Sequence, residues 1–342
     1  MLQLINTSSY VDDCAMWRSW GGGLEGFLAD HGLDGVEAYL GDDWDEAQLS
    51  ARHICGVHLR FWPAWLDFWR GDEAEVLRQF GSWENARLYY GADTPTGWLA
   101  VWRRNLAQAV AAGARYVVLH VAHVRQEETG HWRFSASDEE VVTATLELVR
   151  LLVQKLPASV ALLFENLWWP GLRLTQPRMA ALLFDGLGRA NAGIMLDTGH
   201  LMNTCQELRN EQEAVDYVLR TVDSLGIYAA RVRGLHLHAS LSGEYVRHSR
   251  RRDMKVSDVE TLWKHVSAID QHQPFGSKEA ARLVQRIGPA YTVHEFIYSS
   301  LEEVSKKVTC QQAALAAGGL GELPWKQRGW SARMRASGAG VR

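Results

Sequence analysis

Residues 192–200 read AGIMLDTGH. The first five are apolar or small without a polar alternation, which is how a strand covered on both faces reads, and six residues to Asp197 is strand length. A carboxylate at the last position of such a strand is costly to desolvate unless something at the strand end takes up its charge. His200 follows after a short Thr198-Gly199 turn, which lets an imidazole face the same point. Asp197 could instead cap the next helix, with His200 as a solvated neighbour.

The same unit recurs on both sides. Short apolar or β-branched runs at 2–6, 35–39, 56–61, 116–121, 160–166, 192–197, 234–239 and 291–296 are each followed by a longer stretch with helical periodicity. Strand and helix alternating in this way predict a parallel sheet, and eight repeats close a barrel. The fold class is therefore α/β, a (β/α)8 TIM barrel. The clearest helix is predicted at 138–155, where Ser137 and Glu140 form a capping box. Others are expected near 99–112, 177–187, 211–225 and 278–287. Two connections are too long for plain loops: an aromatic-rich one at 62–97 and one at 241–269 that carries RHSRRRDMK and then a predicted helix through VETLWKHVSA. Both fall on the C-terminal face of the strands. The barrel is expected to span 1–316, with 317–342, rich in Gly, Ser and Arg, as a flexible tail.

Composition narrows the partners. With 342 residues and 47% hydrophobic residues the chain can bury a large core, and a formal charge of −4 supplies no general field for nucleic acid or anionic membrane. Mean hydropathy is −0.20, and no apolar run approaches the ~20 residues of a membrane helix. Cys14, Cys55, Cys205 and Cys310 are scattered, without zinc-knuckle pairs, and the first residues lack a secretory pattern, so a reducing cytoplasm is the expected compartment. Tryptophan is unusually abundant: 15 in all.

In a parallel barrel every strand ends on one face, so polar residues at strand ends converge. Here they are His58, His120, Glu165, Asp197 with His200, His236 and Glu295, joined by Asp270 and His272 from the connection after the seventh strand. One imidazole on an apolar strand is ordinarily a hydrogen-bonded core residue. So many carboxylates and imidazoles at one end call for a cation, and this ligand set suits zinc, manganese or iron better than calcium or magnesium.

Taken in order, GVHLRF (56–61), VVLHV (117–121), LLFEN (162–166), MLDTGH (195–200), HLHAS (236–240), DQHQPFG (270–276) and VHEF (293–296) resemble the metal-ligand motifs of endonuclease IV and the wider xylose isomerase-like TIM-barrel superfamily, AP endonuclease family 2. The resemblance covers about residues 1–305. It implies a trinuclear zinc cluster held by His58, His120, Glu165, Asp197, His200, His236, Asp270, His272 and Glu295, all of the residue type that family uses. It equally embraces isomerases and epimerases that hold one ion, manganese for instance, with Glu165, Asp197, His236 and Glu295 alone. His58, His120 and Asp270 tilt the balance toward the cluster, whereas Gln271 stands where either kind of relative commonly has arginine. Three divalent ions against four carboxylates leave about +2, suited to a phosphate diester, and one ion against three leaves about −1, suited to a neutral hydroxy-ketone.

The leading expectation is thus a metal-dependent hydrolase of a phosphoester, with two or three ions and with Glu165, Glu295 and Asp270 as catalytic groups. The alternatives are a single-metal sugar or sugar-acid isomerase or epimerase, a multi-iron oxidative enzyme, and a non-catalytic ligand-binding barrel. Substrate contacts are expected from Trp168, Trp169, His238, Arg250 and Arg251. The Trp168-Trp169 wall and the acidic balance argue against duplex DNA without excluding it, and favour a small or phosphorylated molecule. His294, adjacent to Glu295, should point into the helix layer.

Overall fold

A computed structural model describes residues 1–251 and 259–320. All eight apolar runs form strands: β1 (Leu2–Ser8), β2 (Gly35–Tyr39), β3 (Ile54–His58), β4 (Tyr116–His120), β5 (Ala161–Glu165), β6 (Ala192–Asp197), β7 (Val232–Leu237) and β8 (Tyr291–His294). They pair in sequence order, every pair parallel, and β8 closes on β1. Helices Pro95–Ala111, Asp138–Leu152, Pro177–Leu187, Glu211–Ser224, Ala280–Ile287 and Leu301–Leu315 surround the barrel. The Ser137–Glu140 capping box is formed in both directions.

Side-chain alternation along each strand sorts the interior into layers. Leu4, Tyr116, Val118, Leu163, Met195 and Val293 fill the lower barrel as one apolar cluster. Two residues further along β4, β5 and β6 stand His120, Glu165 and Asp197, with Glu295 directly after β8. Register aligns them across strands, with His120 opposite Glu165 and Asp197 opposite His236. The polar layer therefore sits directly on the apolar one, at the C-terminal mouth.

The 62–97 connection folds as helices Leu66–Arg70, Glu73–Phe80 and Trp83–Tyr90, and the 241–269 connection as Gly243–Arg251 and Val259–Ile269. Within 316–320 Leu320 is buried and Gln285 Nε2 donates to the Gly318 carbonyl at 2.8 Å, while Ala316, Ala317 and Gly319 are exposed. Ordered packing thus runs past the expected boundary at 316. The rest of the expected tail, 321–342, and Arg252 and Lys255 of the basic run lie outside the described residues. All four cysteines are free. No helix among the described residues is long and apolar enough to cross a membrane.

Candidate metal centre

The turn after β6 shows why its sequence is what it is. Asp197 Oδ1 accepts the His200 backbone N–H at 2.6 Å and so caps the short helix Thr198–Met202, while Oδ2 lies 2.8 Å from His238 Nε2. One oxygen of Asp197 thus caps the helix and the other faces the imidazole of His238. His200 is buried rather than solvated. Gly199 is required by the His238 ring, because a Cβ there would fall 2.1 Å from Cε1.

Asp270 and His272 reach the mouth by a longer route. An antiparallel bridge between Ala239 and Gln273 folds their loop back onto the end of β7, and His272 adopts a left-handed conformation, φ 46°, that turns its ring inward. Its ring stacks on His238 with centroids 4.0 Å apart.

Three groups of potential ligand atoms result, each gathered within 4.8 Å: His58, His120 and Glu165; Glu165, Asp197, His236 and Glu295; and His200, His238, Asp270 and His272. All nine residues expected as ligands are brought together, and Glu165 belongs to two groups. Glu165 Oε2 lies 3.0 Å from His58 Nε2, and Oε1 lies 3.2 Å from His120 Nε2, 3.1 Å from His200 Nδ1 and 3.3 Å from His236 Nδ1. Asp270 Oδ2 meets His200 Nε2 at 3.1 Å and His272 Nε2 at 2.7 Å. His238, expected as a substrate contact, stands instead within the third group of donors.

These residues fit divalent cations by two observations. Glu165 Oε1, His236 Nδ1 and Glu295 Oε2 are buried without hydrogen-bond partners, although His236 Nδ1 is 3.3 and 3.2 Å from the other two. Donors aimed at a common centre rather than at each other have this geometry. Moreover, the outer nitrogen of three imidazoles is anchored: His58 Nδ1 by the Leu59 carbonyl, His272 Nδ1 by the Glu295 carbonyl and His236 Nε2 by Glu37 at 2.8 Å. Such outer partners orient metal-binding imidazoles.

Glu37 and Asn166 were missed by sequence reasoning. Glu37 Oε2 also accepts the Tyr116 hydroxyl at 2.7 Å, and Asn166 clamps β6 by accepting the Asp197 N–H and donating to its carbonyl. An acidic residue in the middle of the buried run GVEAY is the same signal that Asp197 gave. Asn166 carries no comparable signal.

Electrostatics divides the cluster. Burial disfavours charge on Glu165, but His120 and His236 outweigh it and hold the carboxyl well below its usual range. Burial raises Asp197 and Glu295, and burial with the neighbouring His272 depresses His238. For His272, burial is overcome by Asp270, which lifts the imidazolium to about 9. A raised histidine stabilises the fold fully below its unfolded value and loses that contribution as pH climbs through the folded one. In chelator-treated protein the stability advantage of wild type over His272→Gln is therefore expected to shrink between about pH 6.5 and 9, the unfolded and folded values. An advantage in Tm that grows across that interval would contradict the pairing.

Above the groups lies a cavity of about 500 Å³ whose lining includes Trp168 and Trp169 along with His120, His200, Asp270, His272 and Glu295. Both indoles are buried, and Trp168 sets its edge against His200 with centroids 5.2 Å apart. The Trp-rich connection lines part of this cavity through Phe80 and Tyr89, while its buried indoles pack inward. Trp62, Trp65 and Trp102 pack around fully buried Trp98 in the core, because a three-helix insertion needs its own apolar centre. Arg250 is not among the lining residues either: its guanidinium lies over Trp132 at 5.6 Å. Arg247 is drawn away to the Gln206 carbonyl. Of Arg251 only the backbone, at the end of helix Gly243–Arg251, is described. His294 bonds Gln311 in the helix layer, as expected.

Fold and site together define a closed (β/α)8 barrel with its polar cluster at the C-terminal mouth. Residues 26–280 match the family model described as the xylose isomerase-like TIM barrel, and the chain belongs to that family. No curated protein matches it. Among solved structures it is similar to a D-tagatose 3-epimerase-like protein (14% identity, 93% of this chain and 98% of that one, TM-score 0.52) and an L-ribulose 3-epimerase (15%, 98% and 99%, 0.50). It is also similar to endonuclease IV from Thermus thermophilus (15%, 93% and 100%, 0.46). At such identities the likeness is one of fold.

Proposed function

We propose that this chain is a metal-dependent hydrolase of a phosphoester, acting through a site of two or three divalent ions, most simply zinc. The observation that carries the reading is Glu165 standing in two donor groups with a third gathered around Asp270. A single ion would leave buried Asp270 and the half-buried His58, His120 and His272 without a task, at a desolvation cost. The ions supply positive charge for phosphate oxygens and acidify water. Glu165 and Asp270 hold the donors in place, Glu37 fixes which His236 nitrogen faces inward, and Glu295, kept protonatable by burial, can hold or move a proton beside the reacting group.

A second reading, a single-metal sugar epimerase, is favoured by Glu165 and Glu295 sharing one four-residue group with Asp197 and His236. Structural neighbours carry the names of an endonuclease and of epimerases, so they do not choose between the two. Protein purified without chelator decides: about three ions per chain and turnover of bis-p-nitrophenyl phosphate are expected. One ion per chain with exchange at a ketose carbon and no phosphodiesterase activity would replace the first reading with the second.

A further inference from the structure

The walls of the cavity above the site are chemically unlike those that a nucleic acid or a free sugar would need. Phe61 follows β3, Phe80 ends the helix Glu73–Phe80, Trp168 and Trp169 follow β5, Trp263 comes from helix Val259–Ile269 and Ile297 follows β8. Separate connections have thus converged on one apolar enclosure. Its floor is the donor cluster itself. Among the described residues that line it, none is lysine or arginine. A polynucleotide backbone is held by such cations, and a free sugar needs donors and acceptors around its ring, whereas the side walls are chiefly rings and hydrocarbon.

Two side chains on the cavity's rim are large, apolar and open to solvent: Trp263 is 63% exposed and Ile297 42% exposed. Exposed apolar groups contiguous with a concave site mark a ligand surface rather than core. The volume of about 500 Å³ suits one compact organic group beside the reacting centre. Trp168, in edge contact with His200, brings an aromatic wall to the donor groups themselves.

We propose that this cavity receives a flat aromatic group, so that the substrate is the phosphoester of an aromatic alcohol, not a polynucleotide or a sugar phosphate. The aromatic half rests on the cavity; the phosphoester half rests on the function proposed above. Rings of the enclosure stack on the ligand and exclude water from the bond to be cleaved.

Calorimetric titration of the metal-replete full chain with methylphosphonate, phenylphosphonate, naphthylphosphonate and 2-naphthol tests both halves separately. Affinity is expected to rise from methyl to naphthyl by about tenfold or more, from the apolar area buried. Trp263→Ala, at an exposed position that the fold does not need, should remove most of that gain and leave methylphosphonate unchanged. Equal affinity across the phosphonates, or a Trp263→Ala loss that is the same for methyl and naphthyl, overturns the aromatic assignment while leaving the phosphoester reading standing. Binding of 2-naphthol that depends on Trp263, with no phosphonate bound, keeps the aromatic occupant and overturns the phosphoester.

Discussion

Glu165→Gln is expected to lower phosphodiesterase turnover by about 10³-fold or more and to strip metal from the protein. The reason is the number of donors that depend on one carboxylate. His58, His120, His200 and His236 each place a ring nitrogen within 3.0–3.3 Å of its two oxygens, and it is fully buried. Glutamine keeps the shape but is neutral and replaces one acceptor oxygen with an N–H2 facing imidazole nitrogens. Several kcal/mol of charge stabilisation at a metal site corresponds to about three orders of magnitude, at tenfold per ~1.4 kcal/mol. Metal analysis and kcat/KM, with circular dichroism as a check of folding and exposed Glu139→Gln as a control, measure the effect. Full metal content with activity within about tenfold of wild type would remove Glu165 from the centre of the site.

The eight strands were legible because a parallel strand buried on both faces is an almost uninterrupted apolar run, and its polar terminus stands out. AGIMLD is the clearest instance. Their ends are less legible: the apolar run predicts the third strand at 56–61, but it pairs over Ile54–His58, and the Arg60 N–H turns to Asn105 Oδ1. Spacing of two at the end of β7 predicts His236 and His238 on one face, and both are buried at the barrel mouth. It could not show which group His238 joins, because that depends on the Asp270–His272 loop bridging back through Gln273, a contact 34 residues away in sequence. Arg250 was misplaced for a related reason. Charge marks a surface helix, but whether a guanidinium turns to the cavity or onto Trp132 is decided by helix packing that no local pattern records.

Asp270→Ala is the substitution that separates a multinuclear site from a single-ion one. Asp270 lies outside the group formed by Glu165, Asp197, His236 and Glu295, so an enzyme that needs only that group should tolerate its loss. In the third group, however, it is the sole carboxylate. Its Oδ2 is shared between His200 and His272, and its Oδ1 accepts the Ser240 hydroxyl at 3.3 Å. Burial opposes its charge, yet His272 and His200 hold the carboxyl well below the usual range, so it is an anion wherever the protein is folded near neutral pH. Alanine takes from His272 its 2.7 Å carboxylate partner and from His200 one of its carboxylate partners, while His238 keeps Asp197 and His200 keeps Glu165. One ion fewer per chain is expected, with phosphodiesterase turnover down by about 10²–10³-fold, the cost of losing one preorganised electrostatic partner. Glu165→Gln should then act on all the ions and Asp270→Ala on one, a difference that metal analysis reads directly. If Asp270→Ala retains both its full metal content and its turnover, the third group takes no part, and the single-ion chemistry of the four-residue group is what remains.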